Sequence, residues 1–432
     1  MGVLTPRPRR RTSGTRALQR ACGVLAIAGV CLTTAPPAAA TAPPAPTRLA
    51  DADKPSFGLT SSSECTFGGK TIRSTPWSLQ RVLLRQLREQ ATGEGVTVAV
   101  IDTGVDDSNP QLRGAMAPGG KDYVGKSKDG TDDIEGHGTR VAGIIAARPF
   151  PGTGFAGIAP KAKILSLRYT GGEEEQGDSG TMSAAIRDAV AKGAKIINIS
   201  SDTANKKDNG PLRATVKNAV DAGVLIVAAS GNDGADGKSA DTYPASYPGV
   251  LAVAASDRNN ERASFSQAGD FVDIAAPGVG MVSTVPKGGQ CTADGTSFAA
   301  PYVAGVAALL KEKHPKWTAA QIATRIQESA QRPGLGPNRY LGWGVVDPVA
   351  ALSDDATPGT RPQEDPPAPA GTTDVIPMAV TMGETEAEQE RRVAMYVVGA
   401  GLLLVLLASG SGIAVRDWRN KRARQSGSPG AL

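Results

Sequence analysis

The sequence predicts an α/β protein: a mostly parallel β-sheet flanked by helices on both faces, on a chain whose C-terminal part carries a single transmembrane helix. Two observations predict the sheet. Between about residues 95 and 350, short apolar runs alternate with longer stretches of helical periodicity, the order produced by repeated strand–helix crossovers. The short runs are apolar at every position rather than at every second one, which is how strands read when both faces are buried. A third observation predicts the membrane helix: VAMYVVGAGLLLVLLASGSGIAV (393–415) holds 23 residues without a charge, enough to cross a bilayer as a helix.

Each element follows in order. Residues 1–20 hold six arginines and no acid, and ACGVLAIAGVCLTT (21–34) and PPAAATAPP come next. A basic start, a short apolar core and an A-x-A site read as a secretory signal over 1–40, cut near Ala40. Residues 41–92 form an N-terminal extension. Its first part, 41–63, is rich in Pro, Ala and Ser, and TPWSLQRVLLRQLREQ (75–90) reads as a short helix with Leu79, Val82, Leu83 and Leu87 on one face. A globular unit fills 93–351. Its expected strands are VTVAVID (96–102), AKILSLR (162–168), AKIINIS (194–200), VLIVAAS (224–230), VLAVAAS (250–256) and FVDIAAP (271–277). Its expected helices cover 138–147, 181–193, 211–223, 296–313 and 318–330. Residues 352–390, rich in Pro, Thr, Asp and Glu, read as an extended linker. A transmembrane helix over 391–415 and a basic tail over 416–432 complete the chain. No internal repeat is visible.

Charge sharpens this layout. The formal net charge is +5. The first 20 residues contribute +6 and the stretch after 415 contributes +4, so the rest is acidic by about five charges. A basic nucleic-acid surface is therefore not expected. The basic cluster follows the apolar segment, and the mostly acidic ETEAEQERR precedes it. That asymmetry places the tail in the cytoplasm and residues from about 41 to 390 on the far side of the membrane. Of four cysteines, Cys22 and Cys31 fall in the signal. Cys65 and Cys291 remain in an exported chain and are expected to form a disulfide. Two cysteines alone cannot build a zinc site. No metal-binding cluster and no cofactor motif is visible.

Histidine limits the chemistry, because there are only two. His314, in KEKHPKW at a helix end, reads as a surface or capping residue. His137, in EGHGTRVAG, sits between two glycines at a helix start, where backbone or substrate can approach closely. It is the candidate general base. Such a base needs an orienting carboxylate and usually a nucleophile. Asp102 closes the most apolar strand, at the end where open α/β sheets place their sites. Ser297 opens an apolar helix in GTSFAAP. Taken singly, Asp102 also reads as a turn residue and Ser297 as a helix cap. Together they stand in the chain order Asp–His–Ser that subtilisin uses. Two motifs mimic other peptidases. GDSG (177–180) follows an acidic loop, and DTG (102–104) with DSG (178–180) lacks a second apolar strand, so both are expected to be loop chemistry.

AVIDTGVD, GHGTRVAGIIAA, SGND and DGTSFAAPYVAGVAALL resemble the signatures of the subtilisin-like serine peptidases, in the same order, over roughly 95–350. The resemblance implies a subtilisin-like fold and an enzyme that cleaves protein or peptide substrates without a cofactor. It implies Asp102 as orienter, His137 as base and acid, Ser297 as nucleophile and Asn232 as side-chain donor of an oxyanion hole. It also implies a substrate-binding edge at Ser200, Ser201 and Asp202, in SSDTANKKDNG. There the sequence departs from the family: Asp202 stands where glycine is usual, and a carboxylate would either narrow the pocket or favour basic or small residues. The exported domain, the cysteine-bearing extension with PWSLQRV, Phe298 in GTSFAAP, the Pro-rich linker and the membrane helix together resemble the mycosins. That narrower resemblance implies a cell-membrane peptidase associated with the type VII secretion core complex. Two other roles stay open: a mainly structural subunit of that complex, or a general cell-surface protease.

Overall fold

A computed structural model describes residues 55–56, 65–82, 84–171, 175–203, 207–237, 240–366 and 386–425. The expected signal and the middle of the expected linker lie outside the described residues. Seven parallel strands form the main sheet: β1 (Thr97–Asp102), β2 (Lys121–Asp122), β3 (Lys163–Arg168), β4 (Ile196–Ile199), β5 (Leu225–Ala229), β6 (Val250–Ser256) and β7 (Ile274–Pro277). Their spatial order is β2-β3-β1-β4-β5-β6-β7, and every neighbouring pair is parallel. The six apolar runs are six of these strands. The two-residue edge strand β2 was not foreseen, because KD between two turns has no apolar pattern.

Both faces of the sheet are covered, as continuous apolar strands require. Val98 and Val100 of β1 belong to one buried cluster, and Ala99 and Ile101 to another on the opposite face. Strands β4 and β5 divide in the same way. Helices α3 (His137–Ala146) and α6 (Thr296–Lys313) fill the first face; α4 (Ser179–Ala191) and α5 (Gly210–Asp221) fill the second. Each fully buried Val, Leu or Ile contributes about 1.5–3 kcal/mol. In α6 every residue from Thr296 to Leu310 is buried, so this helix is a core element along most of its length.

Before these helices come α1 (Trp77–Gln80) and α2 (Leu84–Gln90), which correct the single helix expected over 75–90. The Tyr302 hydroxyl donates to the Ser78 carbonyl at 3.1 Å. That carbonyl would accept from Val82 in a continuous helix. After β7 an antiparallel hairpin, β8 (Met281–Thr284) and β9 (Gln290–Ala293), leads directly into α6. Cys65 is bonded to Cys291 in β9, which ties the extension to the hairpin, as expected. Helices α7 (Ala319–Glu328) and α8 (Pro348–Ser353) close the domain. Helix α9 (Glu386–Gln425) starts before the expected residue 391 and runs past 415. Its stretch Glu388–Arg422, mean hydropathy 2.2 over its most apolar window, is long and apolar enough to cross a membrane.

The strand order fixes where chemistry can occur. From β1 the chain builds β2 and β3 on one side, then crosses to β4 on the other. The carboxyl end of β1 is therefore the topological switch point, where open α/β sheets leave a crevice. Asp102 is the last residue of β1.

Candidate active site

Asp102 is fully buried, and its Oδ1 accepts from Thr103 N at 2.8 Å. The same oxygen lies 2.7 Å from Nδ1 of His137. An ionised carboxylate can only accept, so a bond of this kind takes its proton from Nδ1 and leaves Nε2 as the ring nitrogen turned to other partners. The contact depends on two glycines. Gly136 has a φ of 71°, and it precedes the first residue of α3. A Cβ on Gly138 would lie 2.0 Å from the Gly104 carbonyl oxygen. Only glycine lets α3 begin this close to the turn after β1.

A second carboxylate, which the sequence reading missed, binds the two segments together. Asp133 Oδ1 accepts from the Thr103 hydroxyl at 2.7 Å and from Gly136 N at 2.8 Å. Its Oδ2 accepts from Thr139 N at 2.8 Å and from the Thr139 hydroxyl at 2.5 Å. The Thr103 oxygen in turn accepts from Gly138 N at 2.9 Å. Residues next to Asp102 and next to His137 thus share one buried acceptor. Burial pushes the Asp133 carboxyl upward, with the hydrogen bonds from Thr139 and Thr103 opposing. The acidic turn TDDIEG gave no signal of this role beyond an Asp four residues before the histidine.

Ser297 is the second residue of α6, and its side chain is buried. Its backbone N–H is among the first four of the helix, which no helical carbonyl can reach. Pro301 lies four residues on and has no N–H to offer the Ser297 carbonyl. The first turn of α6 is therefore built differently from the rest of the helix. The ring of Phe298 lies 5.4 Å from the imidazole of His137, which puts this turn against the Asp102–His137 pair. Asn232 follows β5. Its Oδ1 accepts from both the backbone N and the hydroxyl of Thr296, each at 2.9 Å. With the oxygen so occupied, the amide nitrogen is the end that faces away from Thr296. The structure thus brings Asp102, His137, the Ser297 turn and Asn232 to one end of the sheet.

The remaining sequence candidates fall elsewhere or are covered. Ser200, Ser201 and Asp202 follow β4 and are all buried. Ser200 Oγ accepts from Asn198 Nδ2 at 2.8 Å, and Ser201 Oγ is hydrogen-bonded to the Tyr169 hydroxyl. Asp202–Thr203 is itself a short strand, paired antiparallel with Pro55–Ser56 of the extension. His314 caps the C-terminus of α6 and stacks on Trp317 at 3.8 Å, a capping residue as expected. In GDSG, Asp178 accepts from Thr181 N as the N-cap of α4, with a reciprocal capping box. Among the described residues no group of His, Cys, Asp and Glu is arranged to hold a metal ion.

The chain is similar to known proteins over most of the described domain. The subtilase family model matches residues 93–344. M-protease of Shouchella clausii is 40% identical over 280 residues, 65% of this chain and 70% of that protein. Mycosin-1 of Mycobacterium tuberculosis is 35% identical over 393 residues, 78% of this chain and 87% of that protein. The crystal structure of MycP1 from the ESX-1 type VII secretion system superposes with a TM-score of 0.61 at 32% identity, covering 73% of this chain and 92% of that one.

Proposed function

The chain belongs to the subtilase family and is a serine endopeptidase related to the mycosins, and on that premise we propose that Asp102, His137 and Ser297 are its catalytic triad. Ser297 Oγ attacks the scissile carbonyl while His137 Nε2 takes its proton. Asp102 holds the Nδ1–H tautomer and stabilises the imidazolium that forms. The oxyanion of the tetrahedral intermediate is met by the Asn232 amide and by the Ser297 N–H at the start of α6. His137 then protonates the departing amine, which leaves an acyl-enzyme, and a water repeats the sequence to release the acid. The observation that carries this reading is the buried 2.7 Å Asp102–His137 contact at the switch point. A fluorophosphonate probe should label the chain, and Ser297→Ala should abolish labelling without changing the circular dichroism spectrum. Full labelling of Ser297→Ala would overturn the assignment.

In this proposal Ser200–Asp202 is the edge that pairs with extended substrate. The antiparallel pairing of Asp202–Thr203 with Pro55–Ser56 supports it, since the edge accepts a strand in that sense. The organisation is a signal over 1–40, an extension over 41–92, a peptidase domain over 93–351, a linker, the membrane helix and a cytoplasmic tail. Similarity to Mycosin-1 over 78% of the chain and to MycP1 from the ESX-1 type VII secretion system supports a place in a type VII secretion complex. A second reading, in which the fold serves the complex apart from turnover, is supported by similarity to MycP1, an essential component of the type VII (ESX-1) secretion system. A strain carrying Ser297→Ala separates the two. If secretion fails as in a deletion, turnover is required; if secretion survives, the scaffold role dominates.

A further inference from the structure

Arg140 lies one turn after His137 in α3, on the same helix face. It is 5% exposed. An arginine this buried normally faces a carboxylate, yet among the described residues none lies within ion-pair distance of its guanidinium. Its contacts are of another kind. Nε donates to the Gly136 carbonyl at 3.1 Å, and Nη1 lies 3.6 Å from Cys65 Sγ. The guanidinium carbon sits 5.3 Å from the centre of the Phe298 ring. That ring is thus a neighbour of both the cation and the imidazole of His137. The backbone of the same turn is also fixed, because the hydroxyls of Ser283 and Thr284 in β8 donate to the Arg140 and Thr139 carbonyls at 2.6 and 2.8 Å.

A buried charge without a counter-ion in contact is costly. Burial pulls the guanidinium below its ordinary range, with the fields of Asp133, Asp102 and Glu135 opposing. A methionine of similar length would avoid that cost, so the side chain must be justified by what it holds. Its Nε–H grips the carbonyl of the residue before the histidine. Its face holds the ring of the residue after the nucleophile. The disulfide provides a fixed seat for the other end.

We propose that Arg140 is a positioning residue for proton transfer between Ser297 and His137, acting through the Phe298 ring and the Gly136 carbonyl from a seat formed by the Cys65–Cys291 disulfide. The proposal rests on the triad reading above. The test is the second-order rate of labelling by a fluorophosphonate, measured on the full chain in detergent beside the final labelled fraction and the melting temperature. Arg140→Met should slow labelling about tenfold, the scale expected when a reacting pair is slightly misplaced, with the final labelled fraction unchanged. Arg140→Lys should recover part of the rate, because it keeps a cation over the ring but loses the fork. Cys65→Ser with Cys291→Ser should slow labelling about threefold, and its effect should not add to that of Arg140→Met. Labelling of folded Arg140→Met at the unsubstituted rate would overturn the proposal. So would a slower rate explained wholly by a smaller labelled fraction, the mark of a purely structural role. Should Arg140→Met fail to fold, folded Arg140→Lys labelling at full rate would overturn it. Labelling of Ser297→Ala would instead sink the triad reading and is scored separately.

Discussion

Asn232 is oriented through its acceptor. Thr296 donates twice to Oδ1, so the amide cannot flip without losing both bonds, and the nitrogen stays the donor end. Asn232→Ala is expected to lower kcat about 100- to 1,000-fold with little change in KM, because the donor acts on charge that develops only in the transition state. Steady-state kinetics on a peptide substrate check this, and an equal rise in KM with constant kcat would assign Asn232 to ground-state binding instead. Asp102 was legible at a strand end, His137 and Ser297 at helix starts beside glycines, and Asn232 only through the family resemblance of SGND. Asp133 and Arg140 were not legible. Their roles depend on which backbone groups come within reach once α3 has docked beside β1, and an acidic turn or one arginine in a helix carries no trace of that. Asp202 was legible as a departure from the family, but its burial was not.

At the level of elements, parallel strands announced themselves because a strand buried on both faces must be apolar throughout. The hairpin β8–β9 did not, since MVST and QCTA are short and mixed. The break between α1 and α2 comes from Tyr302, more than 200 residues along the chain, so local periodicity could not show it. The GDSG stretch tests how far a motif can be trusted. Asp178 accepts from Thr181 N at 2.8 Å, and the Thr181 hydroxyl accepts from Asp178 N at the same distance. Asp178→Ala should cost about 1 kcal/mol, the usual loss of an N-cap. Its fluorophosphonate labelling should match that of the unsubstituted chain once folded. Lost labelling with unchanged stability would contradict the capping role.

The described residues combine a peptidase domain with one helix long and apolar enough to cross a membrane, and the two make separable predictions. Removing residues 386–432 deletes all of α9 and no residue of the proposed triad. The shortened chain should move from the membrane pellet to the supernatant after an alkaline wash and keep its labelling rate; retention in the pellet would mean that another segment holds it. Global stability should also report one group far from Ser297. Asp273, just before β7, accepts from Ala252 N at 2.9 Å and from Gln327 Nε2 at 3.3 Å. Burial raises its carboxyl from 3.8 to about 6, against those two hydrogen bonds. The folded state therefore binds this proton more tightly than the unfolded state. The resulting stabilisation is complete below about pH 3.8 and is lost as pH rises through 6. The shift corresponds to a ceiling of about 3 kcal/mol. Asp273→Asn keeps a neutral side chain at every pH, and the cost of fitting an amide there does not depend on pH. The stability of Asp273→Asn minus that of the unsubstituted domain should thus grow between pH 4 and pH 7, by up to that amount. Urea unfolding at the two pH values measures it, and a difference that stays flat or shrinks would show that the Asp273 carboxyl is not raised in the folded domain.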